Sequence, residues 1–376
     1  MIHAEHSLTS FRKQQIGPKK LFEKRLKRTG DKMKIGIIGC PGSGKTTVFE
    51  ALTRSLSNTA GKAEPRIGTL QVPDSRVDVL SQMYHPRKTI YAQIEYLLPG
   101  KSLAKKEAGK EQTAWSQVRD CDAIILVVRN VMGMGGDAPQ QLSDFQTINQ
   151  DLILSDLVVV EKRQERLETD KKRGKKIDME ELSLITQCLK HLENEMPLRK
   201  LPDLAGAPVL RGYAFMSAKP MMVLFNNADD DDIMPDIPAI TSAEHCMVIK
   251  AKLEQELIRM TEDEAREFLT EFNITASATD RVIQMSYSLL GLMSFFTVGE
   301  DEVRAWTIHR GTSALDAAEV IHSDIKKGFI RAETISYKDL MDAGNQAEAR
   351  KRGTFRLEGK TYEVQDGDII NFRFNV

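Results

Sequence analysis

Ile35, Ile37 and Ile38 form a short apolar run that closes on Gly39, and Thr47 to Leu52 beyond it read as an opening helix. Continuous apolar runs of this kind predict strands buried on both faces. A second run stands at 123–128 (AIILVV), a third at 221–225 and a weaker one at 248–251, while 90–98 reads as a further strand. From Met33 to about Asn130 strand-like and helix-like patterns alternate. That is the grammar of an α/β doubly wound sheet with helices on both faces.

A different texture follows. Ile153, Leu157, Val160 and Leu167 keep a heptad-like spacing, with Gln164 filling the remaining core slot. Beyond the charged stretch 170–176, Leu182, Ile185, Leu189 and Leu192 repeat the pattern. Two such helices with a polar connection predict an inserted antiparallel helical hairpin, serving either as a spacer or as a partner-binding arm. After Thr297 short strands around 306–308, 329–330, 354–357, 362–364 and 369–374, with a helix at 314–322, predict a small α+β domain. The expected organisation is a basic extension at 1–32, a nucleotide-type domain at 33–150 and 199–295, a helical insertion at 151–198 and a C-terminal domain at 296–376.

Composition narrows the class. The 376 residues are 41% hydrophobic and 28% charged, as a globular chain with real cores should be. The formal net charge of −1 does not by itself announce a nucleic-acid binder. Residues 1–32 are the exception: basic, with few apolar partners, they read as a disordered extension ahead of Met33, with a basic arm for RNA as the competing reading. No stretch reaches the ~18 apolar residues that span a bilayer, so no membrane partner is expected. Cys40, Cys121, Cys188 and Cys246 are scattered without a C-x-x-C pair, which argues against a zinc site or disulfides and fits a cytoplasmic location.

The chemistry lies in Gly39-Cys40-Pro41-Gly42-Ser43-Gly44-Lys45-Thr46, which fills every slot of the phosphate-binding loop G-x-x-x-x-G-K-[ST] between a strand and a helix. Such a loop aims consecutive N–H groups and the positive helix end at one place, where triphosphate oxygens belong. Gly39, Gly42, Ser43, Gly44, Lys45, Thr46 and Thr47 are the phosphate-binding candidates. Lys45 would reach the β/γ-phosphates and the Thr46 hydroxyl would take a position on Mg²⁺, making these two the catalytic candidates and Thr46 the metal ligand. Cys40 is either a small apolar filler or, among aimed N–H groups, a thiol of lowered pKa open to oxidation.

The C-terminal segments Glu302-Val303-Arg304-Ala305-Trp306-Thr307, Ile321-His322-Ser323-Asp324, Lys327-Gly328-Phe329-Ile330-Arg331-Ala332-Glu333, Leu357-Glu358-Gly359-Lys360 and Val364-Gln365-Asp366-Gly367-Asp368, with the closing Asn371–Val376, resemble the TGS-type (β-grasp) domain of the YchF, or Obg-like, ATPases. The resemblance runs from about Met33 to Val376 and includes the helical hairpin and Pro73-Asp74-Ser75-Arg76. It implies a translation-factor-class P-loop NTPase that hydrolyses ATP, often binds GTP and associates with ribosomes.

Departures mark where activity is in question. The family loop G-x-P-N-V-G-K-S has Gly42 and Ser43 in place of Asn and Val here, which questions any potassium dependence. The first-switch Thr aligns with Lys62, and the second-switch D-x-x-G is replaced by Leu97-Leu98-Pro99-Gly100-Lys101. Glu95 is the nearest carboxylate to stand in for the absent Asp, and Lys62 or Lys101 could neutralise γ-phosphate charge. The purine specifier is expected after the 221–225 strand, at Asn226, Asn227 and Asp229, with Asn227 and Asp230 as a competing register and Lys250–Glu254 as the opposite wall. An ionised Asp suits guanine, whereas the family's N-x-x-E accompanies ATP, so either base fits.

Three functional classes remain: a slow ATP or GTP hydrolase bound to ribosomes or RNA, a nucleotide-binding scaffold impaired in hydrolysis, and a small-molecule kinase. The kinase reading leaves 297–376 without a role. In that C-terminal domain Arg304, Arg331, Arg356 and Arg373 interleave with Trp306, Phe329, Phe355 and Phe372, either as an RNA surface or as core aromatics under ordinary charges.

Overall fold

The computed structural model describes residues 33–55, 64–100, 114–133, 135–271 and 277–375. Strand β1 (Lys34–Ile38) leads through the glycine-rich loop into helix α1 (Lys45–Thr53). Edge strand β2 (Arg66–Gln71), helix α2 (Ser75–Tyr84), β3 (Lys88–Ile90), β4 (Gln93–Leu98) and β5 (Ala123–Asn130) follow. Two long helices, α3 (Gln141–Lys172) and α4 (Met179–Glu193), separate these from β6 (Met221–Asn227), β7 (His245–Ile249) and α5 (Ala251–Leu257). The first sheet has the order β2-β4-β1-β5-β6-β7, parallel except for β2.

The apolar run in β5 is continuous because both faces are covered. Ile125 and Val127 enter the cluster that holds Ile35, Ile37 and Phe49, while Ile124, Leu126 and Val128 enter the cluster on the other face. Alternate side chains of a strand point to opposite faces, so a strand roofed on both sides must be apolar throughout.

Helix α3 belongs to two bodies. Phe145, Ile148 and Leu152 pack on the sheet, and from Ile153 outward its apolar stripe faces α4. Ile153, Val160 and Leu167 are buried against Ile185, Cys188 and Leu192. Asp178 caps α4 by accepting from Glu180 and Glu181 N–H at 2.9 and 3.2 Å, and the Arg163 guanidinium forks onto Glu181 at 2.9 and 2.8 Å. Gln164 donates to Glu168 at 3.2 Å from its slot in the stripe.

The C-terminal sheet has the order β11-β10-β12-β8-β9-β3. Its members are β8 (Leu292–Val298), β9 (Glu302–His309), β10 (Phe329–Ser336), β11 (Arg356–Glu358) and β12 (Asp368–Phe374), with helix α6 (Ala314–Ile321) on one face. Three expectations need correction. The single strand read at 90–98 is two: the chain turns at Tyr91-Ala92, and β3 leaves the first sheet to pair in parallel with β9. The C-terminal sheet begins at Leu292, inside the segment assigned to the nucleotide domain, because β8 serves two cores: Leu292 and Phe296 face one cluster, Met293 and Phe295 the other. Residues 362–364 form only the bridge Ser313–Glu363, since the turn leading to Asp368 cuts the strand short.

The two sheets share one core. Val77 and Leu80 of α2 lie in the same cluster as Phe296, Val303, Ile335 and Ile369. Over this seam sits Arg76. It donates to Asp74 at 2.9 and 2.8 Å and to Asp366 at 3.0 Å, and its guanidinium lies 5.1 Å above the Phe296 ring. Asp366 also accepts from Ser294 N–H at 3.1 Å. The two motifs, 73–76 and 365–368, therefore lock the nucleotide domain to the C-terminal domain. Charge-assisted hydrogen bonds of this kind contribute about 1.5–3 kcal/mol each. Arg76→Ala is expected to cost about 2 kcal/mol of stability, read as a lower urea midpoint, and an unchanged midpoint in urea unfolding followed by circular dichroism would contradict the clamp.

Candidate functional site

The loop after β1 is shaped by what it excludes. A Cβ on Gly39 would collide with the Val127 carbonyl oxygen and the Ser43 hydroxyl. Gly44 has φ +90°, and a Cβ there would strike the Asn226 amide. Ser43 N–H closes the loop on Cys40 O at 3.2 Å, and Val48 N–H to Gly44 O at 2.9 Å opens α1. No side chain caps this helix and no acidic residue sits in its first turn. The N–H groups of its first turn therefore keep their positive end open to an anion.

The side chains fit the same reading. Lys45 Nζ donates to Cys40 O at 3.1 Å, folded over the loop. Thr46 is exposed on the first turn, and Thr47 is half-buried beside it. Ser43 is 1% exposed with its hydroxyl unpartnered, a buried polar atom inside the cradle. Gly42, at φ +76°, has open space where a side chain would be.

Asn226 is the brace. Its Nδ2 donates to Ser43 O at 3.1 Å, and its Oδ1 accepts from Ala251 N–H at 3.2 Å. One carboxamide thus joins the phosphate-type loop to the start of α5. Asn227 turns the other way: 3% exposed, it donates to Asp231 O at 3.2 Å and Ile233 O at 2.9 Å, and accepts from Asn130 at 2.9 Å. Asn130 accepts in turn from Gln141, the first residue of α3. Asn227 therefore shapes the 228–233 loop from beneath, while Asp229 stands exposed on it. Two lysines of the opposite wall reach this loop, Lys250 to Asp232 at 2.7 Å and Lys252 to Asp229 at 3.8 Å. The wall read at 250–254 and the acidic loop do come together. Asn130, Gln141 and the Ala251 N–H were not legible in the sequence, since an isolated amide carries no periodic signal.

One expectation fails here, and so does one of the two readings of Cys40. Glu95 cannot replace the second-switch Asp. It pairs in register with Lys34, at the start of β1, and accepts from Thr69 at 3.3 Å. The loop lies beyond the other end of that strand, about 16 Å away at 3.3 Å per residue. Buried Leu97 and Leu98 occupy the near end of β4, and Gly100 N–H donates to Gln117 at 2.8 Å. Lys62 and Lys101 lie outside the described residues. The Cys40 thiol is not acidified. Burial first, and then Asp144, push it up to about 11, and its Sγ donates to Asp144 O at 3.8 Å.

Asn226→Ala removes two hydrogen bonds of about 1 kcal/mol each, so nucleotide affinity measured by calorimetry should fall roughly ten- to thirtyfold. Because the Cys40 thiol titrates near 11, only about one in a thousand is ionised at pH 8. Iodoacetamide labelling at Cys40, mapped by mass spectrometry, should be slow at neutral pH and rise as pH approaches that value. Fast labelling at pH 7 would contradict the assignment.

Residues 292–375 match the family model YchF-GTPase_C, described as a protein of unknown function (DUF933). Residues 4–75 match the model Methylmalonyl Co-A mutase-associated GTPase MeaB. The chain is 36% identical to the ribosome-binding ATPase YchF of Bacillus subtilis, with 91% of this chain and 99% of the relative covered. It is also 36% identical to the protein of that name from Pasteurella multocida, with the same coverage. The solved YchF GTPase of Schizosaccharomyces pombe superimposes with a TM-score of 0.76 at 29% identity, covering 92% of this chain and 98% of that one. With relatives this similar aligned over nearly its whole length, and the loop, the helical hairpin and the C-terminal sheet all present, the chain belongs to the YchF family.

Proposed function

We propose that this protein is a purine-nucleotide triphosphatase of the YchF type that binds ATP or GTP, releases the γ-phosphate slowly and associates with ribosomes. The observation that carries this reading is the uncapped α1 N-terminus joined to a side-chain-free loop, with Lys45 folded over it. The B. subtilis relative's name, ribosome-binding ATPase, supports the rest.

In this reading the main-chain amides of 42–47 cradle the phosphates, and Lys45 exchanges its carbonyl partner for the β/γ-phosphate oxygens. The Ser43 hydroxyl, buried without a partner, gains one inside the filled cradle. Thr46 would hold Mg²⁺, which would supply charge neutralisation at the phosphates. Asn226 holds the loop against α5, and Asp229 with the Lys250–Lys252 wall borders the base. Water attacks the γ-phosphate in line, and positioning with electrostatics does the catalysis.

Slow turnover follows from Leu97 and Leu98, which stand where a carboxylate would organise the metal shell. The same two residues favour a second reading, a nucleotide-binding scaffold without useful hydrolysis. The kinase reading is not favoured, because a family with the C-terminal domain accounts for residues 292–375. The TGS-like domain and the helical hairpin are the proposed ribosome or RNA contacts. No helix among the described residues is long and apolar enough to cross a membrane, and a cytoplasmic location is proposed together with the ribosome association.

The test is paired ATP and GTP calorimetry with Mg²⁺ and measured phosphate release, for the starting protein and for Lys45→Ala. Release is expected to fall at least a hundredfold in the variant, about 2.7 kcal/mol of lost transition-state stabilisation. Binding without any release in the starting protein would select the scaffold, and no binding of either nucleotide at millimolar concentration would overturn both readings.

A further inference from the structure

The turn of the helical hairpin carries five cations in six positions, Lys171-Lys172-Arg173-Gly174-Lys175-Lys176, in a chain whose net charge is −1. Gly174, at φ +72°, makes the reversal, and every residue of the turn is exposed. The cluster extends down one face of α3. Lys162, Arg166, Thr169 and Arg173 follow the i, i+4, i+7, i+11 spacing of a single helix face and line one open hollow with Arg163 and Lys175, among which Glu165 and Asp170 are the two carboxylates. At 1.5 Å per residue that face presents cations over about 16 Å.

Most of this charge is not spent internally. Among the described residues, Arg163 is committed to Glu181 at 2.8 Å and Lys175 to Asp170 at 2.7 Å. Among the described residues, Lys162, Arg166, Lys171, Lys172, Arg173 and Lys176 make no ion pair within 4.0 Å, and Arg166 and Arg173 act on Asp170 only at longer range. Placement matters as much as charge. Leu152 is the last residue of α3 that packs on the sheet, so the turn stands about 30 Å beyond it along the helix. The heptad core of the hairpin keeps that distance rigid.

We infer that the hairpin tip is a binding surface for the phosphate backbone of RNA. This rests on the ribosome-associated reading above and places one of its contacts. Exposed Lys and Arg that are fixed in space but not paired gain most from a partner carrying dense, regular negative charge, because each phosphate neutralised releases condensed counterions. The turn displays no aromatic side chain for stacking on bases, so recognition is of backbone charge and shape, not of sequence. Beside the turn, Ile177 packs against the hairpin core and Met179 is exposed, a single side chain and not the broad apolar face that seats a helix in a lipid surface.

The full-length chain and the variant Lys171→Ala/Lys172→Ala/Arg173→Ala/Lys176→Ala test this by fluorescence anisotropy with a labelled RNA duplex across a range of salt. The four side chains are exposed and unpaired, so folding is checked by an unchanged thermal midpoint and unchanged calorimetric ATP and GTP affinity. The variant should bind RNA at least tenfold more weakly, with the slope of log affinity against log salt shallower by about 3. Equal affinity and slope in the two proteins would overturn the proposal. Co-sedimentation with ribosomes separates the two levels. If the starting protein pellets with ribosomes and the variant pellets equally, association runs through another surface and the tip assignment fails while the functional reading stands. If the starting protein binds neither ribosomes nor RNA, the functional reading fails and the tip assignment with it. Loss of binding to phosphatidylserine vesicles without loss of RNA binding would make the tip a lipid contact and overturn the proposal.

Discussion

An α-helix leaves its first N–H groups without internal partners, and the site of this protein is built on leaving those of α1 unanswered. No capping side chain and no acidic residue meet them. Gly39 and Gly44 allow the chain to pass so close to Val127 and Asn226 that no other residue fits. The result is a concave array of donors awaiting an anion. The parallel sheet exists to hold it: β1 must be buried on both faces for its end to be rigid, and the helices that bury it include α1 itself.

Asn226 and Asn227, adjacent on β6, divide the remaining work by strand alternation. One carboxamide faces the loop and fixes Ser43 against Ala251, and the next faces inward and fixes the 231–233 turn. Through Asn130 the second also reaches Gln141, where the long helix of the hairpin begins. The base-side loop, the phosphate loop and the root of the hairpin are thus tied by amides a few ångströms apart. On the other flank, Arg76 fastens the nucleotide domain to the C-terminal sheet through Asp366, and the apolar cluster beneath makes that seam part of the main core. The hairpin is rooted beside the site, whereas the C-terminal domain is fastened at the opposite end of the first sheet, where Gln71 pairs with Gln93.

The site is less complete on its γ-phosphate side. Leu97 and Leu98 are buried at the end of β4, and the Gly100 N–H is occupied by Gln117. Among the described residues no carboxylate stands at that strand end, and phosphate donors without one bind anionic tails more readily than they organise a metal for turnover. The slow hydrolysis proposed above rests on this arrangement, and it is compatible with a protein whose bound state, not its rate, is what a partner reads.

The sequence by itself determined whatever depends on periodicity or on a contiguous motif. The two-faced apolar runs gave β1, β5 and β6, the heptads at Ile153–Leu167 and Leu182–Leu192 gave the hairpin, and the glycine spacing with Lys45 and Thr46 gave the loop. These are local consequences of strand and helix geometry, so the chain states them without its fold. Tertiary structure decided the rest. Only folding shows that β3 abandons its neighbour for the C-terminal sheet, that Glu95 lies at the wrong end of a strand, and that burial raises the Cys40 thiol where the loop's amides had suggested lowering. Each of these turns on which distant residue comes to lie alongside, and neither hydrophobic pattern nor motif spacing carries that information.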